Sequence, residues 1–161
     1  MLGRSIKELT DQYAQVGEVK LVTIRPVRKE PPAVLKEVEA IAQAGLDGDH
    51  YASKGGKRQV TLISAEHIDA VASFLGKEEI DPLALRRNIV TSGINLNALK
   101  DKQFQIGDAI LEYTGACHPC SRMEENLGPG GYNAMRGHGG ITCSVIQSGR
   151  IAQGDTIKVL G

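Results

Sequence analysis

Gln105-Ile106-Gly107-Asp108-Ala109-Ile110-Leu111 and, near the C-terminus, Ala152-Gln153-Gly154-Asp155-Thr156-Ile157-Lys158 share one pattern, a Gly-Asp pair set between apolar residues. Glycine admits the positive φ of a tight turn, aspartate bonds back to its own backbone, and the flanking β-branched residues favour extended chain. Each copy reads as a turn feeding a strand.

The rest of the chain, read outward from these turns, adds more strands than helices. Val19-Lys20-Leu21-Val22-Thr23-Ile24-Arg25 alternates as a first strand until Pro26 and then Pro31-Pro32 interrupt it. Val34 to Ala44 fits a strand or a short helix and is read as strand, with a turn at Gly45-Leu46-Asp47-Gly48-Asp49. Gln59-Val60-Thr61-Leu62-Ile63 is a buried strand, after which Ser64 caps a helix whose Ile68, Val71, Ala72 and Leu75 form one apolar stripe, ended by Gly76. Asp81-Pro82 starts a short helical turn that leads through Arg86 and Arg87 into the strand Asn88-Ile89-Val90-Thr91. Ile141 to Ile146 alternates as a further strand. At the N-terminus, Ser5-Ile6-Lys7-Glu8 is a capping-box pattern followed by Ile6, Leu9 and Tyr13 at helical spacing, predicting a helix on the outside of the domain.

Strands that do not alternate strictly with helices exclude a doubly wound fold. The expected class is mainly β, a closed or nearly closed β-barrel with a few peripheral α-helices. The domain reading is an N-terminal helical extension over 1–16 and a single barrel domain over 17–161.

Composition agrees with one such domain: 161 residues, 41% hydrophobic, 19 glycines, no Trp and only 4% aromatic. Nineteen Lys plus Arg are cancelled by 19 Asp plus Glu, leaving no net field for nucleic acid or a membrane surface. Met1 to Gly17 is polar with no apolar run, so a cytoplasmic location is expected, where the three cysteines are thiols or metal ligands rather than disulfides.

The chemistry concentrates in Ala116-Cys117-His118-Pro119-Cys120-Ser121-Arg122-Met123-Glu124-Glu125-Asn126-Leu127-Gly128. Pro119 can start a short helix and Gly128 can end it, which puts Cys120 in the first helical turn. There the helix dipole, Arg122 and His118 all favour the thiolate, which is the nucleophile and the metal ligand. Three other readings stand beside this one. Cys117 and Cys120 have the spacing of a redox pair, although the context is not a βαβ unit. Cys117, Cys120, His138 and Cys143 can be written as a Cys₃His zinc set. A buried cysteine is also a small core residue, the reading preferred for Cys143 in its alternating strand.

Several ordered blocks together resemble the MOSC domain, the family named for the C-terminal part of molybdenum cofactor sulfurases. They are Gly45-Leu46-Asp47-Gly48-Asp49-His50-Tyr51, Arg58-Gln59-Val60-Thr61-Leu62-Ile63, Arg87-Asn88-Ile89-Val90, Pro119-Cys120-Ser121-Arg122, Arg136-Gly137-His138-Gly139-Gly140-Ile141-Thr142 and the final Gly154-Asp155. The likeness runs from about Gly17 to Leu160 and is strongest to small bacterial stand-alone members.

The resemblance implies a β-barrel that binds the molybdenum cofactor (molybdopterin), with Cys120 as the sulfur ligand to the metal. The family's Arg-Asn pair falls on Arg87 and Asn88. Lys54, Lys57 and Arg58, set around Gly55-Gly56, suit the cofactor's phosphate, with Arg122 and Arg136 completing the cationic set. His118 is the candidate proton relay of the site. The separate N-terminal β-barrel region of larger members has no counterpart here, which leaves a homodimer or an exposed cofactor as the expected arrangements.

Two functions follow from the resemblance. One is an oxidoreductase that reduces small N-hydroxylated substrates with electrons from a flavoprotein or other reductase. The other is a non-enzymatic sulfur or cofactor carrier using a Cys120 persulfide or thiolate. Such a carrier needs a separate sulfur donor protein, because the sequence has no pyridoxal-phosphate desulfurase domain.

Overall fold

The computed structural model of the chain describes residues 3–50 and 55–161. Its strands, in chain order, are β1 (Gly17–Ile24), β2 (Ala33–Leu35), β3 (Glu37–Ile41), β4 (Gly45–Leu46), β5 (Val60–Ser64), β6 (Ile89–Ser92), β7 (Gln103–Ile106), β8 (Ala109–Ala116), β9 (Ile141–Gln147), β10 (Gly149–Ala152) and β11 (Thr156–Leu160). The helices are α1 (Ile6–Thr10), α2 (Ala65–Phe74), α3 (Ser121–Leu127) and α4 (Gly131–Met135), with 3₁₀ turns at Pro82–Leu85 and Leu96–Leu99.

Seven strands close on themselves in the order β11-β7-β8-β9-β5-β6-β1, and β1 returns to β11 through the pair Gly17↔Ile157. Closure leaves no exposed edge in the ring, and the expected barrel is what forms. Both Gly-Asp turns lie where read: Gly107 (φ 57) joins β7 to β8, and Gly154 (φ 90) joins β10 to β11. β7 shows the clean alternation of a half-buried strand, with Phe104 and Ile106 inside and Gln103 and Gln105 outside.

The β5–β6 pairing is parallel, Leu62↔Ile89 and Ile63↔Val90. Parallel neighbours need a crossover, which α2 and the 82–85 turn supply on the outside of the barrel. All five positions of β5 are therefore buried: Val60 and Leu62 face the barrel interior, while Ile63 joins an outer core with Ile68 and Val71 of α2, Met123 and Leu127 of α3, and Met135 of α4. Ser64 caps α2 as expected, its Oγ accepting from the His67 N–H at 3.1 Å. Asp81 caps the 82–85 turn through the Leu83 N–H.

Two local readings are corrected, the turn at 45–49 and the place of Cys120. The turn assigned to 45–49 is displaced, because Gly45 and Leu46 pair with β3; the chain reverses at 42–44 instead, with Gln43 at φ 63 and its N–H donating to Val145 O. With β10, this hairpin makes a second, three-stranded sheet. The glycine-rich stretch after Gly128 contains α4, whose Ala134 and Met135 are buried. Cys120 is the N-cap of α3, one residue before the first turn, with extended backbone and no side-chain cap bond. The outer helix α1 forms as expected with Ser5 as its cap, and it buries none of its residues; Ile6 and Leu9 face solvent, and the segment is tied down beyond the helix by an Asp11–Lys102 ion pair and by the Tyr13 hydroxyl donating to Ala98 O at 2.6 Å.

Cys143 packs inside the barrel, fully buried in β9 opposite Val60 and Tyr113, and burial drives its thiol pKa far up. It is a core residue, as preferred from the sequence. Cys143→Ala is expected to cost about 1 kcal/mol from the small cavity, with no change in bound metal. Thermal melts and metal analysis check both halves; loss of metal would place Cys143 in the site.

Among the described residues, no helix is long and apolar enough to cross a membrane.

Candidate functional site

The end of β1, the start of β6, β5 and the start of α3 converge on a cleft of about 210 Å³. Five arginines line it, Arg25, Arg58, Arg86, Arg87 and Arg122, together with Asp49, Thr61, Asn88 and Cys120. In a chain of zero net charge this is a strong local excess of cations.

Asn88 and Arg87 build the walls. The Asn88 carboxamide oxygen accepts from the Thr61 N–H at 3.0 Å and from its hydroxyl, while Nδ2 donates to Thr23 O, so one side chain holds β5 and β1 on either side of β6. The Thr23 hydroxyl donates in turn to Arg87 O at 2.9 Å. Arg86 closes the 82–85 turn in the left-handed region, φ 61, and the chain then sends Arg87 inward.

The Arg87 side chain is 7% exposed and donates to Gly139 O at 2.8 Å, Leu85 O at 2.9 Å and Cys117 O at 3.5 Å. Burial pushes its pKa down from the ordinary arginine value, an effect opposed by the Cys117 and Cys120 thiols and reinforced by Arg58 and Arg25. These bonds need the Gly139-Gly140 backbone to approach closely: a Cβ on Gly139 would overlap Cys117 O, and one on Gly140 would overlap Leu62 O.

The two cysteines of the motif differ in their surroundings. Cys117 is buried at the end of β8, its N–H donating to Gly140 O at 2.8 Å and its sulfur receiving Arg58 Nη2 at 3.5 Å. Cys120 is a free, exposed thiol in the cleft wall. The α3 helix that follows it is fixed to α4 by Glu124, whose carboxylate accepts from the Gly130 and Tyr132 N–H groups at 3.0 Å each; those bonds hold its pKa below the ordinary carboxylate value.

Of the residues selected from the sequence, the cleft brings together Cys120, Arg58, Arg87, Asn88 and Arg122. His118 is exposed and does not line it, Arg136 is an exposed C-cap of α4, and Lys57 does not line it either, its backbone carbonyl accepting from the Thr114 hydroxyl. Lys54 lies outside the described residues. His138 packs against His67, ring centroids 4.8 Å apart, and against Phe74, and among the described residues no three His, Cys, Asp or Glu side chains are grouped to hold a metal. The Cys₃His zinc set is therefore not assembled.

Sequence reasoning missed Arg25, Arg86, Thr61 and Asp49 as residues of the cleft. Asp49 was read as part of a turn, yet it is 7% exposed, its Oδ1 accepts from the Arg25 N–H at 2.8 Å, and its Oδ2 has no hydrogen-bond partner among the described residues. The available signal was an aspartate just after Gly48 (φ 82), inside a segment otherwise rich in strand.

A larger groove, about 1080 Å³, runs between the α1 segment, residues 93–103 and the C-terminus. Its described lining contains neither cysteine nor histidine, so the smaller cleft is the candidate site.

A family model described as the MOSC domain matches residues 47–158. Comparison with curated protein sequences gives no match. Among solved structures, the chain is similar to the YUAD protein from Bacillus subtilis, at 20% identity and a TM-score of 0.79, covering 90% of this chain and 96% of that one. It is also similar to YiiM from Escherichia coli, at 19% identity and a TM-score of 0.71, covering 91% and 70%. For YiiM from Geobacillus stearothermophilus the identity is 15%, the TM-score 0.71, and the coverage 90% and 75%. At these identities the structural likeness establishes the fold.

Proposed function

Because the chain belongs to the MOSC domain family, a family associated with the molybdenum cofactor, we propose that the arginine-lined cleft binds that cofactor, with Cys120 as the thiolate ligand to the metal, and that the protein reduces N-hydroxylated substrates with electrons from a partner reductase. The observation that carries this reading is that Cys120, alone of the three cysteines, is exposed, and that it opens into the cleft with the five arginines.

The donor set fits the group. A thiolate suits a soft metal, guanidinium groups suit a phosphate, and the buried Asp49 oxygen still wants a donor. Arg58 and Arg122 are the cations for the phosphate. Arg87 already donates to three carbonyls, so it contributes positive field from the wall more than a bidentate contact. The Asn88 amide is engaged at both ends and shapes the cleft without reaching for the ligand. When bound, the cofactor supplies the two-electron chemistry of N–O reduction. His118, exposed two residues before Cys120 and outside the cleft wall, is the proposed proton relay and would act through solvent.

The test is turnover. Protein loaded with the cofactor and given a chemical or flavoprotein reductant is expected to convert benzamidoxime to benzamidine, and Cys120→Ala to give no turnover. The same exposed thiol also suits a persulfide or cofactor carrier, and a loaded, reducible protein that turns over no member of an N-hydroxylated panel would favour carriage from a separate donor protein over catalysis.

A further inference from the structure

Asp49 sits in the cleft wall with its hydrogen bonding half complete. Oδ1 is taken by the Arg25 N–H, while Oδ2 is buried and has no partner among the described residues. A buried carboxylate oxygen without a donor is rare enough to need a cause. Asp49 lines the cleft, so a ligand seated there lies against the residue whose oxygen lacks a donor.

The surroundings restrict what that ligand is. A simple anion held by the arginines would set a second negative charge beside Asp49 and still leave Oδ2 unmet. A ligand that satisfies both carries an anionic group at one end and N–H donors at the other. Within the cofactor reading, on which this inference rests, the group of that description is the 2-amino-4-oxo edge of the pterin, where a ring N–H and an exocyclic amine lie side by side.

We propose that Asp49 Oδ2 is the acceptor that recognises the N–H edge of the pterin, making Asp49 a specificity-determining residue of the cleft. A site built around an acceptor strongly rejects an analogue that lacks the matching donor, because the buried group is then left unpaired.

Asp49→Asn tests this with little change of shape. The amide oxygen keeps the Arg25 N–H, while an NH₂ group replaces the acceptor and confronts the pterin donors. Apo wild type and variant would be titrated with neopterin monophosphate by fluorescence and with inorganic phosphate by calorimetry. The variant is expected to bind the pterin at least about tenfold more weakly, with phosphate affinity equal to or higher than that of wild type, because a negative charge beside the anion is removed, and a melting temperature no lower than wild type.

Equal pterin affinity in the two proteins would overturn the assignment of Asp49 and leave the cofactor reading standing. A matching loss of phosphate affinity would overturn it in favour of a structural role. No pterin binding by the wild type would remove the cofactor reading and this inference together. Should the variant not fold, the ligand is varied instead: lumazine monophosphate, which lacks the 2-amino group, is expected to bind wild type about tenfold more weakly than the pterin, and equal binding would overturn the proposal.

Discussion

Cys120→Ser is expected to abolish molybdenum retention while leaving the chain folded. The thiol is exposed and makes no capping bond, so nothing in the native packing depends on sulfur at this position. Serine is a preferred N-cap whose hydroxyl can accept from the first turn of α3, a gain of about 0.5–1 kcal/mol. The metal is affected in the opposite sense, because an alcohol is a poor ligand for a soft metal at neutral pH. Protein made in a molybdenum-replete host, assayed for bound molybdenum and melted in parallel, would show below about a tenth of the wild-type metal at an equal or slightly higher melting temperature. Equal metal content would remove Cys120 as the ligand. The same pair of measurements on Cys117→Ala separates the two thiols, since Cys117 is buried with Arg58 on its sulfur.

The barrel was legible because its strands carry local signals: the two Gly-Asp turns, the alternation of β7 and the uniformly apolar β5 each reflect a face or faces that the fold buries. The β3–β4 hairpin was not, because its reversal depends on Gln43 in a left-handed conformation held by a carbonyl of distant β9, a tertiary effect with no turn residue to announce it. The site divides in the same way. Cys120 stood out by its neighbours in sequence, and Arg58, Arg87, Asn88 and Arg122 by family resemblance. His118, Lys57 and Arg136 are close to those residues along the chain but not in the cleft wall, because chain proximity at a strand end does not fix the side on which a side chain emerges. Asp49 lay within the resembling block 45–51 without being singled out, and its burial and unmet oxygen are what place it in the site.

Arg87→Ala is expected to be the most destabilising of these substitutions and to lose cofactor as a consequence. The guanidinium ties the 3₁₀ turn at Leu85, the β8 end at Cys117 and the glycine approach at Gly139 to the start of β6, three segments otherwise separate in sequence. Removing it leaves those carbonyls without their charged donor and opens a cavity beside the cleft. Each abandoned buried group costs on the order of 1–3 kcal/mol, reduced where water from the cleft can enter. A total of about 3 kcal/mol corresponds, in a domain of this size, to a fall in melting temperature of roughly 6–12 °C. Cys117 and Cys120 lie on the strand end and helix start that this arginine braces, so metal content is expected to drop even where the protein remains folded at the assay temperature. Arg87→Lys separates the two causes: it restores the positive charge, but its ammonium cannot reproduce the planar fork that reaches all three carbonyls. A lysine variant that regains cofactor while remaining several degrees less stable than wild type would assign the charge to the ligand and the geometry to the wall. An alanine variant that melts within about 1–2 °C of wild type, a loss under about 1 kcal/mol, would show that the three carbonyl bonds contribute little and that Arg87 acts on the ligand by charge alone.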